Sequence, residues 1–137
     1  MKDAYQLSKR EQRVMDLLWE KEALTSVDLL EQLSDIMPNA TYVHRTINSL
    51  LDAGFIRECG SVRHRTQYAR KFTPCMTREE YAAKYLVRHG IQRKSFAKVA
   101  MALFNETQDD QNKHTGELIA ELEKIIDQLK AQAENEK

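Results

Sequence analysis

The sequence predicts a mainly α-helical fold with one small β-hairpin. Three observations predict it. Apolar residues recur at helical spacing through most of the chain, repeatedly opened by capping residues and closed by Gly or Pro. Four Gly and two Pro in 137 residues leave little room for the tight turns of an all-β sandwich. One stretch alone, 55–69, reads as two extended segments. A composition 42% hydrophobic and 31% charged is that of a folded chain, not a disordered one.

The elements follow in order. Ser8 and Glu11 form a capping box, which opens a first helix over 9–21 with Val14, Leu17, Leu18 and Trp19 on its apolar side. Thr25 or Ser26 caps a second helix through Val27, Leu29, Leu30, Leu33 and Ile36, stopped near Pro38 because the residue before Pro disfavours the helical region. Asn39 caps a third helix over 40–53, with Gly54 as its stop. Phe55–Cys59 and His64–Ala69 are two extended segments around a Gly60-Ser61 turn, a β-hairpin. Thr77 and Glu80 make another capping box for a helix to about His89, with Gly90 as its stop. Gln92–Phe104 is a further helix, with Phe96, Val99, Ala100 and Leu103 at helical spacing. Residues 105–114 carry no apolar side chain and read as a solvated loop. Thr115 caps a last helix to about Ala131.

Three helices followed by a hairpin is the order of a winged helix-turn-helix domain. The sequence therefore divides at Pro74. Residues 1–74 form the winged domain, and 75–137 a helical region.

Total charge is zero, with 21 basic and 21 acidic residues, which excludes a uniformly basic nucleic-acid coat. The segments differ. Residues 1–39 carry 5 basic and 8 acidic residues; 40–71 carry 6 and 2, as do 72–104; 105–137 carry 4 and 9. A basic middle suits a phosphate backbone, and an acidic tail belongs away from one. Ordinary surface fluctuation also produces such asymmetry.

On the third helix Val43, Ile47, Leu50 and Leu51 share one face, at 100° per residue. Opposite lie Thr41, Arg45, Asn48, Ser49 and Asp52, with Tyr42 and His44 at the flanks. Arg pairs with guanine, Asn with adenine, and Ser or Thr with either. Thr41, Tyr42, His44, Arg45, Asn48 and Ser49 are thus the candidate base readers. A solvated polar helix face has the same composition. Arg57, Arg63, His64 and Arg65 fall within nine positions of the hairpin. Arg57, Arg63 and Arg65 are the candidate phosphate contacts, although a hairpin edge also carries charge for solubility.

No Gly-rich phosphate loop, HExxH or GxSxG is present, and no nucleophile has a base near it in sequence, so no enzymatic activity is expected. Cys59, His64 and Cys75 lack the paired spacing of structural zinc sites. Cys59 is expected on the inner face of the hairpin, and neither a metal nor a cofactor is expected. No apolar run approaches the roughly 20 residues of a membrane span, and the first residues lack the apolar stretch of a signal peptide. A cytoplasmic protein without a membrane partner is expected.

At these residues the chain resembles the BlaI/MecI penicillinase-repressor family. The resemblance rests on LSKREQRVMDLLWEKEALTSVDLLEQL (7–33), LLDAGFI (50–56), QYAR (67–70), TREEY (77–81) and LIAELEKIIDQL (118–129), in family order over about residues 7–130. It implies a dimeric transcriptional repressor whose winged helix binds a palindromic operator and whose C-terminal helices form the dimer. By position it implies Tyr42, Arg45 and Asn48 on the reading face and Arg65 on the wing. Copper-responsive members end in paired Cys-x-Cys motifs, and this tail has no Cys. In β-lactam-responsive members a protease cuts an Asn-Phe bond after the winged domain. The nearest counterpart is Ser95-Phe96, which implies an inducing protease as a further partner.

The tail stripe is too apolar for an isolated helix. Leu118, Leu122, Ile125, Ile126 and Leu129 need a partner surface, as do Phe96, Val99, Leu103 and Phe104. A second copy of the chain is the expected partner, and packing onto the winged domain is the alternative. Two other functions are open at this point. One is a MarR-type regulator released by a small molecule. The other is a winged-helix module that binds a protein.

Overall fold

A computed structural model of the chain describes residues 6–107 and 115–136. Helix α1 (Lys9–Lys21) begins at the expected box: the Ser8 hydroxyl accepts the Glu11 N–H at 3.2 Å, and the Glu11 carboxylate accepts the Ser8 N–H at 2.8 Å. It buries Val14, Met15 and Leu18. It ends at Glu22, at φ 72°, whose carbonyl accepts the Thr73 hydroxyl at 2.7 Å. A two-residue strand, β1 (Leu24–Thr25), follows. It is too short for any periodicity to reveal.

Helix α2 (Ser26–Gln32) is capped by Thr25, with Asp28 closing the box. It ends at Gln32 rather than near Pro38, because Leu33 leaves the helical region at φ −119° and ψ 26°. Leu33 and Met37 both enter the core, and the Met37 N–H donates to the Leu33 carbonyl at 2.8 Å. That bond has the helical i to i+4 spacing, so one turn continues past the break at Leu33, and Ser34 and Asp35 have little helix propensity to restore a regular helix there. Asn39 then caps helix α3 (Ala40–Asp52), its side-chain oxygen accepting the Thr41 and Tyr42 N–H groups at 3.0 and 3.4 Å. Gly54, at φ 81°, supplies the left-handed residue that ends it.

Strands β2 (Ile56–His64) and β3 (Gln67–Pro74) pair antiparallel, and β1 adds to β3, giving the order β1-β3-β2. The hairpin turn is not at Gly60-Ser61. His64 pairs with Gln67, so the connection is Arg65-Thr66, with Arg65 at φ 60°. Gly60 lies inside β2 beside a bulge: Glu58 faces Phe72 and Gly60 faces Lys71, leaving Cys59 unpaired. A glycine within a strand often marks a bulge rather than a turn, and this one lengthens the wing beyond the expected hairpin.

The core joins Val14, Met15 and Leu18 of α1, Leu29 of α2, Leu33, Met37, and Val43, Ile47 and Leu50 of α3 to Phe55, Ile56 and Phe72 of the sheet. This is a winged helix-turn-helix domain. Helix α4 (Arg78–Arg88) opens at the Thr77–Glu80 capping box. It is held to the domain by Tyr81, whose ring lies 5.8 Å from those of both Trp19 and Phe55. Trp19 donates its indole N–H to the Met76 carbonyl at 2.9 Å, and Arg78 lies over the Trp19 ring with its guanidinium 3.6 Å from Asp16. The TREEY segment is thus a latch: Thr77 and Glu80 start the helix, and Arg78 and Tyr81 fasten it.

The first compact unit ends at Ile91, so α4 belongs to it; the second begins at Gln92. The second holds a 3-10 turn (Arg93–Ser95), α5 (Phe96–Glu106) and α6 (Thr115–Asn135). Asn105 and Glu106, expected in a loop, extend α5, and the rest of that expected loop from 108 onward lies outside the described residues. No residue of α5 or α6 is buried. Among the described residues no helix is long and apolar enough to cross a membrane.

Candidate nucleic-acid interface

Helices α2 and α3, joined through the Leu33–Asn39 turn, form the helix-turn-helix. The inward stripe of α3 is fixed by Val43, Ile47 and Leu50. Thr46 is buried too, its hydroxyl returned to the Tyr42 carbonyl at 2.8 Å. That anchorage leaves Thr41, His44, Arg45 and Asn48 exposed on the outer side, together with Asp52 at the far end. Among the described residues no carboxylate pairs with Arg45. A guanidinium, a carboxamide, an imidazole and a hydroxyl stand side by side, a set that matches base edges in a major groove.

Two expected readers sit elsewhere. Tyr42 is half-buried, its ring capped by the Arg10 guanidinium at 4.6 Å, and Arg10 also donates to the Ile36 carbonyl at 3.2 Å. Ser49 turns toward α1 instead of outward. Its hydroxyl donates to Glu11 Oε2 at 2.8 Å. A helical wheel places Ser49 among the polar residues but does not show a buried acceptor 38 positions away.

The wing brings Arg63 and Arg65 together at its tip. Arg63 Nε donates to the Arg65 carbonyl at 3.2 Å, which folds that guanidinium over the turn. Arg57 is not part of this cluster. It pairs across from Thr73 at the base of β2, six residues or about 20 Å from Arg63. Arg70, within the basic middle, is engaged by Glu58 at 3.1 Å and by the Phe72 ring at 5.1 Å. Tyr68 was not singled out by sequence, yet it is largely exposed and pairs across the strands with Arg63. Tyr68, Arg70 and Phe72 alternate onto one face of β3. Phe72 roots that face in the core, and Tyr68 continues it outward beside Arg63.

Cys59, expected on the inner face, is exposed because the bulge leaves it outside the ladder; Cys75 is exposed as well. Among the described residues no three His, Cys, Asp or Glu side chains are grouped to hold a metal ion.

In the second unit Leu118, Leu122, Ile125 and Leu129 follow alternating four- and three-residue steps along α6, the spacing of a coiled-coil seam. Ile119 and Ile126 flank it. All six are exposed in the single chain, as are Phe96 and Leu103 of α5, whereas Val99 and Phe104 are half-buried.

The model of one protein family, described as penicillinase repressor, matches residues 7–128. The sequence matches no curated protein. Among solved structures, the solution structure of the DNA-binding domain of the repressor BlaI is similar at 18% identity, covering 59% of this chain and 94% of that one, with a TM-score of 0.45. A C30AH42A mutant of Lactococcus lactis ZitR is similar at 16% identity over 88% of this chain and 76% of that one, with a TM-score of 0.43. Bacillus subtilis PadR in complex with operator DNA is similar at 16% identity over 88% and 73%, with a TM-score of 0.44.

Proposed function

Because the chain belongs to the penicillinase repressor family, whose members are DNA-binding transcriptional repressors, we propose that it acts as a homodimer on a two-fold-symmetric operator. The observation that carries this reading is the outer face of α3. Thr41, His44, Arg45 and Asn48 are exposed while their helix is anchored through Val43, Ile47 and Leu50. Arg45 and Asn48 offer bidentate contacts to guanine and adenine. Arg63 and Arg65 hold phosphates from the wing tip, where they fix register but carry no sequence information.

The uncovered seam of α6 supports the dimer. Two copies joined along it by a two-fold axis present two reading helices, which on B-DNA meet half-sites about 34 Å apart. In this reading the protein works in the cytoplasm, without a cofactor or a catalytic step. Release by an inducing protease at Ser95-Phe96 draws support from the exposure of Phe96 where α5 begins.

The test is selection of bound duplexes from genomic DNA, followed by anisotropy titration over a salt series. The expected result is a two-fold-symmetric site bound about a thousandfold or more over random duplex. Equal affinity for every duplex, vanishing as salt rises, would reduce the interaction to backbone contact and overturn the reading.

A further inference from the structure

Glu11 is the N3 residue of an ordinary capping box, yet it is 3% exposed. Burying a carboxylate is costly unless its oxygens are supplied with donors. Its two oxygens reach different parts of the fold. Oε1 accepts the Ser8 N–H at 2.8 Å and completes the start of α1, while Oε2 accepts the Ser49 hydroxyl of α3 at 2.8 Å. One side chain thereby joins the first turn of α1 to the second half of the reading helix.

We propose that Glu11 and Ser49 form a positioning pair that sets the rotation of α3 about its axis, and through it the operator preference. This rests on the reading of α3 as the base-contacting helix. Ser49 follows Asn48 directly and lies one turn beyond Arg45, so whatever fixes Ser49 fixes the direction of both. The apolar stripe of α3 seats it against the core, but the hydrophobic effect that drives this burial carries no directional preference of its own. A charge-assisted hydrogen bond adds one. A rotation of about 10° carries a guanidinium some 10 Å from the axis through nearly 2 Å, more than the range over which a hydrogen bond to a base edge holds. Neither residue touches a base in this scheme; both act through Arg45 and Asn48.

The experiment measures affinity for the selected operator and for random duplex, over a salt series, in the full chain and its variants. Ser49→Ala is expected to lower the operator-to-random ratio about tenfold, with random-duplex affinity and salt slope unchanged. Ser49→Thr, which keeps the hydroxyl, restores the ratio. Since Ser49→Ala takes a donor away from a buried carboxylate, circular dichroism is recorded alongside. If that variant unfolds, the double variant Glu11→Leu/Ser49→Ala removes both members of the pair together, its further cost being the capping box, whose exposed Ser8 N–H can turn to water. It is expected to fold and still lose discrimination. A folded variant lacking the pair that retains the full ratio overturns the proposal while leaving the repressor reading intact. A wild-type chain with no preferred duplex overturns both.

Discussion

Replacing Leu122 by Ala tests the dimer at its centre. Leu122 is 39% exposed in the single chain, as is Ile125, its neighbour on the seam; Leu118 is 37% exposed and Leu129 52%. Complete burial of a Leu contributes about 1.5–3 kcal/mol, so covering the remaining 39% contributes about 1 kcal/mol per copy. In a two-fold dimer each seam residue is buried twice, once per copy, and the loss doubles to about 2 kcal/mol per dimer. That corresponds to about thirtyfold in the dissociation constant. Sedimentation equilibrium over a concentration series reads this directly. Glu123→Ala, one residue away on the acidic side of α6, is the control and should leave the constant unchanged. The reasoning fails if Leu122→Ala dimerises as tightly as wild type, or if Glu123→Ala weakens association equally. A wild-type chain that stays monomeric at high concentration would refute it outright.

Three further outcomes are expected. Arg45→Ala should cost about 1–3 kcal/mol on the selected operator and relax preference at one base pair, measured by anisotropy on single-base variants; equal loss on every sequence would remove its base-reading role. Arg63→Ala should weaken all duplexes alike and lower the salt slope by about one, and a loss confined to the operator would contradict a phosphate contact. Tyr81→Ala removes a half-buried ring packed on Trp19 and Phe55 and should cost about 2–3 kcal/mol in thermal unfolding, with α4 amides losing hydrogen-exchange protection before those of α3. An unchanged Tm would mean the latch contributes nothing.

Local signals in the sequence located every element of the winged domain except β1. Ser8, Asn39 and Thr77 each cap the helix the sequence assigns to them, and of the two candidates Thr25 and Ser26 it is Thr25 that caps α2, because capping is decided within four residues. The errors arise where distant partners decide. Gly60-Ser61 carries turn residues, but the register of β2 against β3 makes it a bulge and moves the tip to Arg65-Thr66. Helix α2 stops early at Leu33, whose backbone leaves the helical region although the apolar spacing to Met37 would suit a continued helix. Ser49 has the polarity of a reading residue, and only the packing of α1 on α3 gives it to Glu11. Arg57 is near Arg63 in sequence but far along an extended strand. Thr41, His44, Arg45 and Asn48 were legible because helical phase alone separates them from the stripe.

The side chains of His44, Arg45 and Asn48 make no hydrogen bond or ion pair with the rest of the fold among the described residues, while Asn39, Thr46 and Ser49 on or beside the same helix are all engaged. In the proposed reading, direct base contact and packing therefore fall to different residues of one helix, Ser49 acting on preference only through the direction it gives the others. Substitutions at 44, 45 and 48 would then change which operator is chosen at little cost to folding. After a gene duplication, two copies of such a repressor could diverge to separate operators by mutations at those positions, without passing through an unstable intermediate.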